Sequence, residues 1–206
     1  MNTALRAASE TLRQVLLNAM RADPALRLLF TPIGAATVSL LDPDGMAAAG
    51  ETGLSLWLYR LMRDDQRLNA PPERIAPNRY RPTPLPVRLH YLVSSVMGDA
   101  AGGAAPETLQ QMLGAVLQAF HERPLLSGSL LTGDFTGSNV ELALRLESLG
   151  LEESARVWDS LDRPYQLSLS YEVSVVSIDT TAPEGLGPPV TIALPELGVA
   201  SLVTTP

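Results

Sequence analysis

"RYRPTPLPVRLHYLVSSV", residues 79–96, begins as a proline-rich coil and ends as an alternating strand. Val87, Leu89, Tyr91 and Val93 share one face, and His90 falls on the polar one. A stiff, arginine-bearing lead-in therefore runs straight into a half-buried strand. Each proline fixes φ and lowers the entropy lost when such a segment orders against a partner. Residues 69–86 read either as a pre-stiffened contact arm or as a surface connection that covers the core.

The same two-residue period recurs on both sides of this strand. Upstream, "LSLWLYRL" (54–61) puts Leu54, Leu56 and Leu58 on one face and Ser55, Trp57 and Tyr59 on the other. Downstream, Val140, Leu142, Leu144 and Leu146 oppose Glu141, Arg145 and Glu147. "QLSLSYEVSVVSI" (166–178) alternates through Leu167, Leu169, Tyr171, Val173 and Val175, then slips to Val176 and Ile178. That slip predicts a bulge or a change of exposure. Val38 and Leu40 open a further short strand before the turn residues "DPDG".

Helical spacing separates these strands. Leu5, Leu12, Val15, Leu16, Ala19 and Met20 form one stripe, stopped by Pro24. Leu109, Met112, Leu113, Val116, Leu117 and Phe120 form a second, opened by Pro106 and ended by Pro124. A short third helix carries Leu151, Ala155, Trp158 and Leu161 on its inner side. The order predicts an α/β (α+β) fold, a mixed sheet of about five strands with helices packed on one face. The polar strand faces predict that the other side meets water or a partner. Residues 1–180 read as the folded domain, and 181–206 as a Pro/Gly/Thr-rich tail with one more strand candidate, "VTIAL".

With 46% hydrophobic and 18% charged residues, 206 positions suit one domain with a real core. The net charge of −7 argues against a sequence-independent grip on nucleic acid. All 15 basic residues are arginine, a side chain suited to interfaces because its planar fork sheds water readily. The absence of cysteine removes disulfides, thiolate nucleophiles and thiolate metal sites. Glu10 and Arg13 interrupt what would have to be an apolar signal segment, and no apolar run approaches a membrane span. The reading is a protein made in the cytoplasm, without membrane or nucleic-acid partners.

No catalytic constellation emerges. His90 reads as facing solvent or a neighbour, and His121 as a cation at the negative end of a helix. "DPDG" (42–45) lacks the further ligands and closing glutamate of a calcium loop. "SGSLLTGDFTGS" (127–138) lacks the lysine of a phosphate-binding loop. Glu152 and Glu153 suit the start of a helix. Trp158 reads as core, whereas Trp57 belongs under a helix or in an interface. Catalytic residues, cofactors and metals are accordingly none.

Six features follow one another in order: the N-terminal helix, "LSLWLYRL", "RYRPTPLPVRLHYLVSS", "ETLQQMLGAVLQAFHERPLL", "ELALRLESLGLEESARVWDSL" and "RPYQLSLSYEVSVVSI". Together they span roughly residues 3–180, and the chain resembles the cap, or tail-terminator, proteins of extracellular contractile injection systems. These are phage-tail-like particles of the antifeeding-prophage and virulence-cassette types. The resemblance implies a structural protein, not an enzyme, that forms a hexameric ring with itself. It would close the end of the inner tube protein and of the sheath protein, in a particle that can leave the cell. Such a ring draws attention to Arg74, Arg79, Tyr80 and Arg81 of the arm, to Trp57, and to Val190 and Ile192 of the tail as interface residues. A baseplate or tube-adaptor subunit of the same particle, and a small-ligand-binding or enzymatic domain on the same sheet, are the competing readings.

Overall fold

A computed structural model describes residues 3–67, 71–76, 78–97, 106–181 and 183–186. The chain divides into two compact units. The first comprises 1–69 and 84–179, and the second 70–83 and 180–206.

The first unit is built from α1 (Ala4–Ala22), β1 (Ala36–Ser39), α2 (Pro43–Ala48), β2 (Thr52–Arg63) and β5 (Leu85–Val96), followed by α3 (Pro106–Glu122), β6 (Leu125–Leu126), β7 (Leu142–Glu147), α4 (Leu151–Asp159) and β8 (Ser168–Ile178). Between β6 and β7, "SGSLLTGDFTGS" forms two single-turn 3-10 segments, Gly128–Leu130 and Gly133–Phe135. The sheet runs in the order β1-β2-β5-β8-β7-β6, with β1 parallel to β2 and every other pair antiparallel. Its central strand is the one read from residues 79–96, flanked by the two longest partners.

Alternation decides which face is core. Leu54, Leu56, Leu89, Tyr91, Val93, Tyr171 and Val173 are buried beneath Leu12, Val15, Leu16 and Met20 of α1 and Met112, Leu113, Val116 and Phe120 of α3. Phe120 meets Tyr171 edge-on at 4.8 Å. Where helix and sheet would leave polar groups dry, they bond each other: the Ser9 and Tyr91 hydroxyls lie 2.8 Å apart. α1 ends at Ala22 because Asp23 precedes Pro24 and is held extended.

The predicted α/β class and mixed sheet are the fold found, and all five expected strands are present. The sixth, β6, is too short to leave a period. α1 and α3 take the expected face. The short helices α2 and α4 go beyond that expectation and cover one end of the opposite face, where Met46, Leu92, Val96 and Trp158 are buried outside the main core. Trp158, 1% exposed, donates from Nε1 to Ser168 Oγ at 3.2 Å. Leu151, expected on the inner side of α4, is 72% exposed. "DPDG" is a helix start rather than a free turn: Asp42 accepts from the Gly45 N–H at 2.8 Å and Pro43 takes the first helical position.

The slip in phase at the end of β8 is a bulge. Leu89 faces Val173 and Val87 faces Val176, so β8 spends three steps on two of β5. A second irregularity in β2 falls at Tyr59, between Leu58 and Arg60.

The second unit contains a small antiparallel sheet, β3 (Glu73–Ala76), β4 (Arg79–Arg81) and β9 (Gly185–Leu186), in that order. The segment read as irregular coil thus holds a hairpin. Its strands of three and four residues are too short, and too rich in charge, to show alternation.

Candidate functional site

In the second unit the hairpin gathers four of the residues singled out in the sequence. Register places Glu73 opposite Arg81 and Arg74 opposite Tyr80. Arg81 pairs with Glu73 at 3.1 Å, Arg79 pairs with Glu184 beside β9, and Arg74 Nε donates to the Ala76 carbonyl at 3.3 Å. The arm arginines singled out as interface residues thus have carboxylates and carbonyls of their own chain as partners. All these ion pairs are exposed, where such contacts are worth roughly 0–1 kcal/mol and are screened by salt. Trp57 belongs to the first unit: half-buried on the face away from α1 and α3, it meets the Tyr59 ring at 6.0 Å. Val190 and Ile192, with the rest of "VTIAL", lie outside the described residues.

That same face of the first unit carries a polar network which sequence reasoning missed. Asp64 follows β2 directly, anchored by its N–H to the Pro86 carbonyl at 2.9 Å. Its buried carboxylate accepts from Arg88 Nη2 at 2.9 Å, and Arg88 Nη1 stands 3.7 Å from Glu172. The bond to Asp64, ahead of all other influences, raises the Arg88 pKa further.

Two residues along β5, His90, read as facing solvent or a neighbour, is 4% exposed within its own chain. Its Nδ1 lies 3.0 and 3.1 Å from the two Glu147 oxygens. Ser170 donates to Glu147 at 2.6 Å and lies 3.0 Å from the Tyr59 hydroxyl. Burial pushes the Tyr59 pKa up, as it does at Tyr171.

Pairing explains this gathering. His90 faces Glu172 across β5 and β8, and Ser170 faces Glu147 across β8 and β7. The residues are separated by tens of positions, and only the register of three strands unites them. Alternation in sequence did show a polar face; it held no sign that α2, α4 and neighbouring side chains would close over part of it.

The arrangement is wrong for nucleophilic hydrolysis. Glu147 sits between the serine and the histidine, so His90 cannot take a proton from Ser170. A cleft of about 580 Å³ lies elsewhere, bordered by Arg67, Asp134, Glu141, Ser174 and Ser177, and shares no residue with the network. His121, exposed in the last turn of α3, joins no cluster of His and acidic side chains among the described residues.

The fold is that of terminator domains in contractile injection particles. It superposes on a cryo-EM structure of the PVC sheath/tube terminator of an extracellular contractile injection system, in the extended state, with a TM-score of 0.54 and 19% identity over 92% of the chain. It also superposes on the tube-terminating cap of the anti-feeding prophage with a TM-score of 0.56 and 21% identity over 86% of the chain. The chain spans 64% and 58% of the length of those two proteins. Residues 7–192 match the Pvc16 N-terminal domain, and the chain belongs to that family. None of the curated proteins matches it. The resemblance drawn from the ordered motifs and this assignment agree.

Proposed function

We propose that the protein is a structural cap that terminates the inner tube and sheath of a phage-tail-like contractile injection particle. Membership of the Pvc16 N-terminal domain family across residues 7–192 carries this reading, supported by the shared fold with a sheath/tube terminator and a tube-terminating cap. Its partners are then copies of itself, the tube protein and the sheath protein, and its task is contact, not bond-making. Asp64, Arg88 and Glu172, and His90 with Glu147, are tied into mutual contacts, as a structural network requires. Residues 1–180 form the terminator-like domain in this reading, with 181–206 as a contacting tail. The protein acts within a particle that reaches the cell exterior; among the described residues no helix is long and apolar enough to cross a membrane.

A ring, of six subunits in this proposal, needs two different patches per subunit, each meeting its complement on the next. The arginine hairpin suits one of them. Its exposed pairs exchange an internal carboxylate for an external one at little cost, and guanidinium forks do so with defined geometry. Light-scattering mass of the purified protein, alone and after co-expression with the tube subunit, tests the proposal. A ring-sized species, bound to tube ends, is the expected result. A strictly monomeric protein that ignores tube and sheath subunits alike would overturn it.

A further inference from the structure

Strand β2 is paired along its whole length on one side and only at its start on the other. β1 pairs with Thr52–Ser55 alone, and the chain then turns away into α2. From Trp57 to Arg63 the inner side of β2 is laddered to β5, while the outer side has no strand partner among the described residues. Nor does any loop amide or carbonyl among them bond to this stretch. The bare edge is longer than either outermost strand, β1 with four residues or β6 with two. Alternate residues of such an edge aim N–H and C=O groups at whatever strand arrives. Both faces beside it are apolar. Leu58 and Leu61 lie on the side of the long helices, and Trp57 and Met62 on the other. Leu61 is 47% exposed and Met62 39%.

Charge restricts what can arrive. Arg60, exposed, has no ion-pair partner among the described residues, and Arg63 reaches only the exposed Asp65, at 3.2 Å. A second copy pairing through the same edge would bring two Arg60 and two Arg63 guanidinium groups onto one ladder, against only the Asp65 of each copy. Charged side chains and the irregularity at Tyr59 are devices by which sheet edges avoid pairing with themselves. An acceptable strand is short, apolar at alternate positions and free of positive charge. In sequence, "VTIAL" (190–194), outside the described residues, meets each condition. Val190, Ile192 and Leu194 alternate with Thr191 and Ala193, and Pro188, Pro189 and Pro195 bound the stretch. Glu196 follows at once, and residues 187–206 contain no basic side chain.

We propose that the free edge of β2 accepts residues 190–194 of a second copy as an added strand, so that each subunit gives a tail and receives one. The inference rests on the ring of the proposed function and names one of its contacts. Giving and receiving through two different patches is the heterologous interface that a ring requires. Main-chain bonds supply the affinity, and alternate side chains set the register. Val190, Ile192 and Leu194 cover Leu58 and Leu61, and the small Thr191 and Ala193 lie beside Trp57 and Met62. A direction parallel to β2, as in β1, brings Glu196 to the Arg63 end. The prolines confine the pairing to the five residues between them, since proline cannot donate to a ladder.

The chain has no cysteine, so introduced thiols report alone. Full-length Leu61→Cys is mixed with full-length Val190→Cys, Ile192→Cys or Leu194→Cys, the two chains differing in tag size. The mixtures are assembled with the tube subunit and oxidised. At least one gives a covalent heterodimer, about tenfold or more above a control in which Leu28→Cys, at a position 74% exposed, replaces Leu61→Cys. Adjacent strands hold facing Cα atoms within disulfide reach, and a merely exposed thiol has no such neighbour. Ile192→Pro, added to the Leu194→Cys chain, lowers that yield to the control level while far-UV circular dichroism stays unchanged. A ring of normal mass without the heterodimer defeats this inference and leaves the cap reading standing, whereas a chain that stays monomeric beside the tube subunit defeats both. Three other results overturn it: a Leu61→Cys homodimer, a disulfide closed within one chain bearing both substitutions, or a Leu61→Cys thiol shielded from maleimide only when tube or sheath subunits are added. Should Leu61→Cys fail to fold, Met62→Cys and Arg63→Cys, at exposed positions on the same edge, take its place with the same outcomes.

Discussion

Gly53 shows how little room a single backbone position can leave. It opens β2 at φ +131°, and a Cβ built there would fall 2.0 Å from the Thr37 carbonyl oxygen of β1. Both the dihedral and the approach of the parallel strands exclude a side chain. Gly53→Ala is expected to lower stability by more than about 2 kcal/mol, read as a fall in urea midpoint at constant m. Gly50→Ala, at φ +68° with open space around it, should lose only about 1 kcal/mol. Tyr91 is a different kind of constraint. Burial, partly opposed by the bond to Ser9, lifts its pKa from 10.0 to about 12. A folded pKa above the unfolded one means that the native state holds the proton longer. Its contribution is therefore complete below pH 10 and is lost as the pH climbs from 10 towards 12, by up to about 2–3 kcal/mol. Tyr91→Phe should remove that segment of the stability-versus-pH curve, measured by denaturation between pH 9 and 12 (chosen to bracket the titration, roughly one unit below it).

At the scale of elements, the ends of β2 and β5 are locked by charge instead of apolar contact. Asp64 is buried and Arg88 is its close partner, so removing the arginine alone leaves a desolvated carboxylate. Arg88→Ala is expected to cost about 3–5 kcal/mol, and the further change Asp64→Ala to restore part of the loss. Urea midpoints around the double-mutant cycle check both. The strands themselves were legible because half-burial imposes a period of two on Val87–Val93 and Leu169–Val173, and even the bulge between Val173 and Val176 left its mark as a slipped phase. β3, β4 and β6 were not, since two to four residues carry too few periods to stand out. α2 escaped for the same reason: six residues of "PDGMAA" have a cap but no stripe.

For the whole molecule, the questions concern assembly. Alanine at Arg74, Arg79 and Arg81 together should weaken ring formation severalfold while far-UV circular dichroism and Tm stay unchanged, because exposed pairs add little to the fold. Mass by light scattering reads the first effect; an unaltered ring would dismiss the hairpin as a contact. Removing residues 187–206, which include Val190 and Ile192, is expected to leave the folded monomer intact and to reduce capture by tube or sheath subunits, measured by pull-down. Normal capture would remove the tail from the interface.

Residue order alone determined the class of fold, the five main strands, the two long helices and the family resemblance, because apolar periodicity and the succession of elements are local properties that survive without coordinates. It also carried the resemblance to injection-particle caps. Tertiary structure alone decided what the polar face does. His90 came into contact with Glu147 and across from Glu172 only through the register of β5, β8 and β7, and a shift of one residue would have turned every one of those side chains to the other side. Pairing register is a long-range choice, set by the packing of the opposite face, and no stretch of the sequence records it by itself.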